Sequence, residues 1–232
     1  MVNLTFINGI YNTETREFDN MNIIDPELDF MYNQELFDYD VINEIKTKLF
    51  YNNLGLIEGH KLINYLKNAL LNNKAQKILV FEGLGNNGKT FLKQCIRSLF
   101  TNFVSDMPLN VLMTHREVYN IFNMPESFKR IVFLSELNEL EPKWNAPLIK
   151  DLCSKDGVIK RNSLFILETN YFKISDMEPG LINRFEVFNF TKKYIREQKD
   201  NYNSNELYSD SEFVNNMNTN KYIYNLLFAI LN

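Results

Sequence analysis

Gly83-Leu84-Gly85-Asn86-Asn87-Gly88-Lys89-Thr90 fits the pattern G-x-x-x-x-G-K-S/T, and its surroundings decide how it is read. Ahead of it, Lys77-Ile78-Leu79-Val80-Phe81 is a short apolar run of the kind that forms a strand buried on both faces. Behind it, Phe91, Leu92, Cys95, Ile96 and Leu99 recur at helical spacing over residues 89–100. Strand, glycine-rich loop and helix in that order predict a phosphate-binding loop. Glycines let the backbone approach phosphate oxygens closely, and successive N–H groups at a helix start face the negative charge. Lys89 is expected to reach the β- and γ-phosphates of ATP, and the Thr90 hydroxyl to bind Mg²⁺. The candidate nucleotide-binding residues are therefore Gly83, Gly85, Asn86, Asn87, Gly88, Lys89 and Thr90. A glycine-rich turn that matches by chance is the plain alternative; the flanking strand and helix weigh against it.

Downstream, apolar runs and helical stretches alternate. Ile131–Leu134 follows a helical segment at about 115–122, and a helix at about 146–153 leads to Leu164–Leu167. A short helix near 178–183 precedes a last strand, Phe185–Phe190. This alternation predicts an α/β sandwich built on a mainly parallel central sheet flanked by helices. Upstream, Val2, Leu4 and Phe6 alternate with Asn3 and Thr5 as in a short strand, and Asn8-Gly9 gives a turn signal. Val41, Ile42, Ile45 and Leu49 share one helical face, as do Leu62, Ile63, Leu66 and Leu70, with Gly59 at the expected break between the two helices. Residues 200–218 are polar and read as loop, and residues 220–231 as a terminal helix. The expected organisation is a lead-in or linker segment over 1–40 and a helical segment over 41–76, a candidate oligomerisation collar. The nucleotide-binding core follows over 77–195, then a polar loop and C-terminal helix over 196–232.

Composition narrows the function classes. The chain is 45% hydrophobic and 23% charged, which argues for a packed core and against wholesale disorder. Its net charge of -4 argues against a broad, permanently basic nucleic-acid surface but leaves room for a narrow basic strip. Cys95 and Cys153 read as reduced thiols of an intracellular protein, and with His60 and His115 they show no zinc-ligand spacing. No apolar stretch reaches the roughly 18 residues that span a bilayer. The N-terminus has no basic region followed by an apolar run, so neither membrane insertion nor a signal peptide is expected.

Three further positions carry candidate chemistry. Ile131–Leu134 runs into Ser135-Glu136, where a phosphate-loop enzyme places its metal-side and water-activating carboxylate; Glu136 is the candidate, with Glu139 and Glu141 as alternatives. Taken alone, an apolar run ending in Glu is common on surfaces, and it gains weight only downstream of the phosphate loop. With Ser at position 135, Mg²⁺ is expected to rest on Thr90, the nucleotide and water, with Ser135 as a more remote donor. Leu164–Leu167 runs into Glu168-Thr169-Asn170, where an amide could hold the attacking water; an Asn capping a turn is the plainer reading. Arg184, between Leu181-Ile182 and Phe185, is either a structural ion-pair partner or an arginine finger reaching a neighbouring subunit's γ-phosphate.

These signals, in this order, resemble the superfamily 3 helicases of viruses and phages, a branch of the AAA+ ATPases, and most of all the poxvirus-type and phage-type primase–helicases. Gly83–Thr90 resembles their Walker A loop, and Ile131–Glu136 their Walker B strand in a branch with Ser-Glu in place of two acids. Pro147–Arg161 resembles the segment that follows, Ser163–Asn170 the motif ending in the sensor Asn, and Leu181–Phe185 the arginine-finger segment. Phe6–Thr15 is similar to the Asn-Gly-Val-Tyr-Asp-x-x-Thr stretch just upstream of such cores. The likeness is firm over 77–190 and weaker at either end.

The resemblance implies an AAA+-like P-loop ATPase that assembles as a ring, expected to be a hexamer, with ATP bound between subunits. Lys89 and Thr90 would hold phosphates and Mg²⁺, Glu136 would activate water and Asn170 orient it. Arg184, helped by Lys150, would act from the adjacent subunit. The implied output is movement along single-stranded DNA and unwinding during replication of a virus or mobile element, inside the host cell. Two departures qualify it. The family's pore hairpin must be short here, given the spacing from Asp156 to Asn170, which leaves Lys155, Lys160 and Arg161 as candidate DNA contacts; a solvated charged loop is the plainer reading of all three. No primase region is recognised, so priming is expected from a separate chain or a longer parent. A ring ATPase that remodels or loads replication proteins, and a degenerate helicase serving as scaffold, are the alternatives.

Overall fold

Ile78-Leu79-Val80-Phe81 is buried along its whole length in the computed structural model, as a run apolar on both sides requires. The structure describes all residues except 1, 2, 24, 25, 27, 114–128, 135–143, 155–161, 174–176, 198 and 200. In chain order the described elements are β1 (Asn3–Phe6), β2 (Gly9–Asn12), β3 (Phe18–Asn20), α1 (Tyr39–Ile45), α2 (Asn52–Leu70), β4 (Ile78–Glu82) and α3 (Lys89–Phe100). Next come β5 (Val104–Met107), β6 (Ile131–Leu134), α4 (Ala146–Leu152), β7 (Leu164–Thr169), α5 (Pro179–Ile182) and β8 (Phe185–Asn189). The chain ends with β9 (Lys193–Ile195), β10 (Glu206–Tyr208), α6 (Ser211–Asn216) and α7 (Asn220–Leu231). Among the described residues, no helix is long and apolar enough to cross a membrane.

Contacts divide the chain into two units. One, formed by residues 68–85 and 103–190, holds the five-stranded sheet in the order β5-β6-β7-β4-β8. Every neighbouring pair in it is parallel. The protein thus has an α/β fold with a parallel central sheet flanked by helices, as the alternating runs predict. Ile78, Val80, Val132, Leu134, Phe165, Leu167 and Phe185 pack with Leu148, Ile149 and Leu152 of α4 and Leu181 of α5 into one apolar cluster. Burying aliphatic side chains of this kind contributes about 1.5–3 kcal/mol each, which drives the strands and helices together. The buried Arg130 donates to the carbonyl of Leu70 and lies over the Phe103 ring, its centre 4.7 Å from the ring centroid.

The strand order brings three strand ends side by side. β7 lies between β4 and β6, so the carboxyl ends of all three share one edge of the sheet. Gly83 follows β4 and Asn170 follows β7 on that edge, and β6 ends at Leu134. Parallel sheets bind ligands outside the carboxyl ends of their strands, where the order switches direction.

The second unit gathers residues 1–67, 86–102 and 191–232. Its antiparallel sheet β1-β2-β3 turns at Asn8, whose carboxamide exchanges two hydrogen bonds with the backbone of Tyr32, at 2.9 and 2.7 Å. Tyr32 stacks on Phe18 with ring centroids 4.2 Å apart. The helix α7 packs on α1 and α3, and its buried Asn225 accepts from the Asp38 N–H at 2.9 Å and donates to the Leu36 and Lys221 carbonyls.

Two local expectations change, and a third is not tested. A π-helical turn, Lys46–Tyr51, joins α1 directly to α2, and the break falls at Gly55 (φ 78°, ψ 169°) rather than at Gly59. Gly59 is instead covered by the Tyr51 ring; a Cβ there would sit 2.6 Å from Tyr51 Cδ1. The stretch 200–218 is not all loop, because it contains β10, paired with β9, and α6, capped by the Asp210 carboxylate on the Phe213 N–H at 3.0 Å. The helical segment expected at 115–122 lies outside the described residues.

Candidate functional site

The glycine loop leaves the carboxyl end of β4 and runs into the first turn of α3. At its start the Gly83 N–H donates to the Thr169 carbonyl at 3.2 Å, tying it to the strand that ends beside Asn170. At its end Gly88 adopts the left-handed conformation (φ 85°, ψ -2°), which an L side chain occupies only with strain. Asn86 is also left-handed, at φ 61°. The N-cap of α3 is Gly88, which has no side chain to cap with, and its first turn holds no acidic residue. Helix-start N–H groups attract anions.

Lys89 is buried, with 4% of its surface exposed. Its Nζ lies 3.2 Å from Asn87 Oδ1, and the same oxygen is 3.5 Å from the Lys89 N–H. A buried ammonium must be solvated by polar groups or by an anion, and Asn87 holds this one at the loop. Thr90 follows within the same first turn.

The loop has supports that the sequence did not reveal. The Tyr194 N–H donates to the Asn86 carbonyl at 2.8 Å. Asn53 Nδ2 donates to the Asn87 carbonyl, and Asn53 Oδ1 accepts from the Lys192 N–H at 3.4 Å. The Tyr194 ring packs against Gly88, where a Cβ would come within 2.9 Å of Tyr194 Cε2. Burial pushes the Tyr194 hydroxyl above its ordinary pKa, against the hydrogen bond with the Asn53 side chain. Asn53 follows Asn52 at the start of α2 and carries no motif, so only the fold discloses its contacts.

On the other unit, Asn170 is exposed directly after β7. The turn behind it is held twice. Thr169 Oγ1 donates to the Tyr171 carbonyl at 3.0 Å and accepts from the Tyr171 N–H at 3.2 Å, while the Glu82 carboxylate accepts from the Phe172 N–H at 2.8 Å. Asn170 and the start of the glycine loop are thus neighbours on one edge of the sheet.

Arg184 lies at the opposite edge. Its carbonyl accepts from the Ile78 N–H at 2.8 Å, at the amino end of the strand that the glycine loop leaves. Five residues at roughly 3.3 Å each put about 16 Å of strand between the two ends. Arg184 Nε is buried and has no hydrogen-bond partner among the described residues. Cys153 Sγ approaches the Arg184 carbonyl at 4.0 Å, and burial pushes its pKa to about 11, against the nearby charges of Arg184, Lys77 and Lys74. Lys150 is in α4, half-exposed, and pairs with Glu178 at the start of α5, the short helix that leads to Arg184. Lys150 and Arg184 therefore flank one four-residue helix. Glu136, its alternatives Glu139 and Glu141, Ser135, and the candidate DNA contacts Lys155, Lys160 and Arg161 lie outside the described residues.

Comparison with solved structures gives the fold an independent likeness. An apo structure of the NrS-1 C-terminal region matches with a TM-score of 0.51 at 17% identity, over 80% of this chain and 44% of that one. A second apo structure of the same region, its A form, matches with a TM-score of 0.52 at 16% identity, over 82% and 45%. At such identities the likeness is one of fold alone. The chain spans less than half the length of these structures. No family model matches the chain, and no curated protein does.

Proposed function

We propose that the protein is a ring-forming ATPase that uses ATP and Mg²⁺ to move single-stranded DNA, a replicative helicase of a virus or mobile element. The observation that carries this reading is the glycine loop at the carboxyl edge of a parallel sheet, running through a left-handed Gly88 into a helix start with Lys89 buried in its first turn. The residues fit a nucleotide: backbone N–H groups of the loop and Lys89 would hold the phosphates, and Thr90 would hold Mg²⁺. The bound metal would neutralise charge developing on the transferred phosphoryl group. Asn170, one strand away from the loop, would orient the attacking water, and Glu136 would activate it.

Arg184 supports a ring rather than a monomer. It lies at the far edge of the sheet from its own chain's loop start, so its cation would serve a neighbour's nucleotide, with Lys150 beside it. A hexamer is the expected ring. Lys155, Lys160 and Arg161 would contribute phosphate contacts multiplied around that ring, which is how a chain of net charge -4 would hold DNA. A separate primase or other replication proteins are the expected partners, and a host cell's interior the expected setting. The second reading, a ring ATPase that remodels proteins, is favoured by the same net negative charge.

Strand separation tests the proposal. A forked DNA duplex incubated with MgATP should be unwound by the wild-type protein and left paired by Lys89→Ala, which should lose hydrolysis as well. Hydrolysis without strand separation moves the account to the remodelling reading. Turnover retained in Lys89→Ala rejects the loop as the site.

A further inference from the structure

We infer that Asn53 and Tyr194 are positioning residues that aim the amides of the glycine loop at the phosphates. The inference rests on the nucleotide reading above and adds two residues to it. A trans peptide is planar, so the carbonyl of one residue and the N–H of the next point in opposite directions. Fixing a carbonyl therefore fixes the next amide. The Asn86 carbonyl is held by the Tyr194 N–H at 2.8 Å, which aims the Asn87 N–H away from Tyr194. The Asn87 carbonyl is held by Asn53 Nδ2, which aims the Gly88 N–H away from Asn53. Two consecutive loop amides are thus turned away from the same buttress.

The buttress is itself held. Asn53 is 5% exposed, and its carboxamide oxygen accepts from the Lys192 N–H at 3.4 Å. A buried carboxamide with both ends engaged has one orientation, because flipping it would face the Asn87 carbonyl with an oxygen. Tyr194 is fixed from the other side, since its strand β9 pairs with β10 over Lys193–Ile195 and Glu206–Tyr208. Its ring closes on Gly88 at the junction between loop and helix. The segment after the central sheet, which carries no recognisable motif, thereby sets the geometry of the loop that does. Preorganised amides bind phosphate without first spending free energy on ordering the loop.

A buried Asn is also structural, so the test compares two of them. Asn225 is fully buried in the same unit and makes three hydrogen bonds, to Asp38, Leu36 and Lys221, none of them in the loop. Asn53→Ala and Asn225→Ala should both lower the melting temperature of the full chain. Titration with MgATP, well below either melting point, should show affinity weakened about tenfold or more in Asn53→Ala and unchanged in Asn225→Ala, the loss expected when a buried polar contact is removed. Tyr194→Ala, which keeps the backbone N–H but removes the ring from Gly88, should weaken binding by a smaller factor. Wild-type affinity in Asn53→Ala, or an equal loss in Asn225→Ala, overturns the positioning role alone. A wild-type protein that binds no MgATP overturns the nucleotide reading and this inference with it.

Discussion

The Ile78 N–H donates to the Arg184 carbonyl at 2.8 Å, and this bond fixes the arginine at the amino end of the strand whose carboxyl end opens into the glycine loop. A strand is a rigid spacer, so Arg184 and the loop start of the same chain cannot meet across it. Either the arginine has no part in catalysis or it works on another subunit.

Mixing separates those cases. If Arg184 serves a neighbour, Arg184→Ala and Lys89→Ala should each be inactive alone, since one would lack the cation offered to that neighbour and the other its own phosphate lysine. Combined, they should recover part of the ATP turnover, because an intact loop then faces an intact arginine at some interfaces. A mixture as inactive as its parts would remove Arg184 from the trans role.

Gly88→Ala should be costly for two reasons at one position. Its φ of 85° is strained for any L side chain, and the added Cβ would lie 2.9 Å from Tyr194 Cε2. Left-handed strain alone amounts to about 1–2 kcal/mol. Thermal denaturation should show a loss of at least that size, and MgATP titration a weakened affinity. An unchanged melting temperature would mean that the loop does not hold this conformation.

The cap of α6 gives a pH dependence. The hydrogen bond from Lys48, then that from the Phe213 N–H, holds the Asp210 carboxyl below its ordinary value of 3.8. A group whose folded pKa is depressed stabilises the fold above its unfolded value, and the contribution is lost as pH falls through the folded one. Asp210→Ala should therefore cost about 1 kcal/mol near neutral pH, as loss of an N-cap does. The difference between variant and wild type should shrink in acid below 3.8, when chemical denaturation is followed against pH. The Lys48 bridge adds little, because Lys48 and Asp210 are each about a third exposed. A difference that stays constant through the acid range would contradict the cap assignment.

What the sequence made legible follows from burial. β4, β6 and β7 are apolar on both faces, so each reads as an unbroken run, and β8 reads nearly as well. β5 does not, because Ser105 and Asp106 interrupt it and its residues are mostly half-buried or exposed. Gly55 and Gly59 look alike in the sequence, and only the structure, with non-helical backbone angles at Gly55 and the Tyr51 ring over Gly59, tells which of them bends the helix. The positions of the glycine loop and of Asn170 at strand ends were legible because they depend on local order: strand, turn, helix. Asn53 was not, because it lies 34 residues from Asn87 and reads as one more polar position on a helix. Contacts made through tertiary structure by a common residue type leave no pattern in one sequence.

The central claim is a nucleotide-driven ring that works on DNA, and steady-state ATP hydrolysis tests it most directly. Turnover should be measured across protein concentration, with and without single-stranded DNA, at low and moderate salt. Specific activity should rise cooperatively with concentration, as sites complete at subunit interfaces, and stimulation by DNA should fade as salt is added. Turnover per chain that is constant with concentration and indifferent to DNA would contradict it.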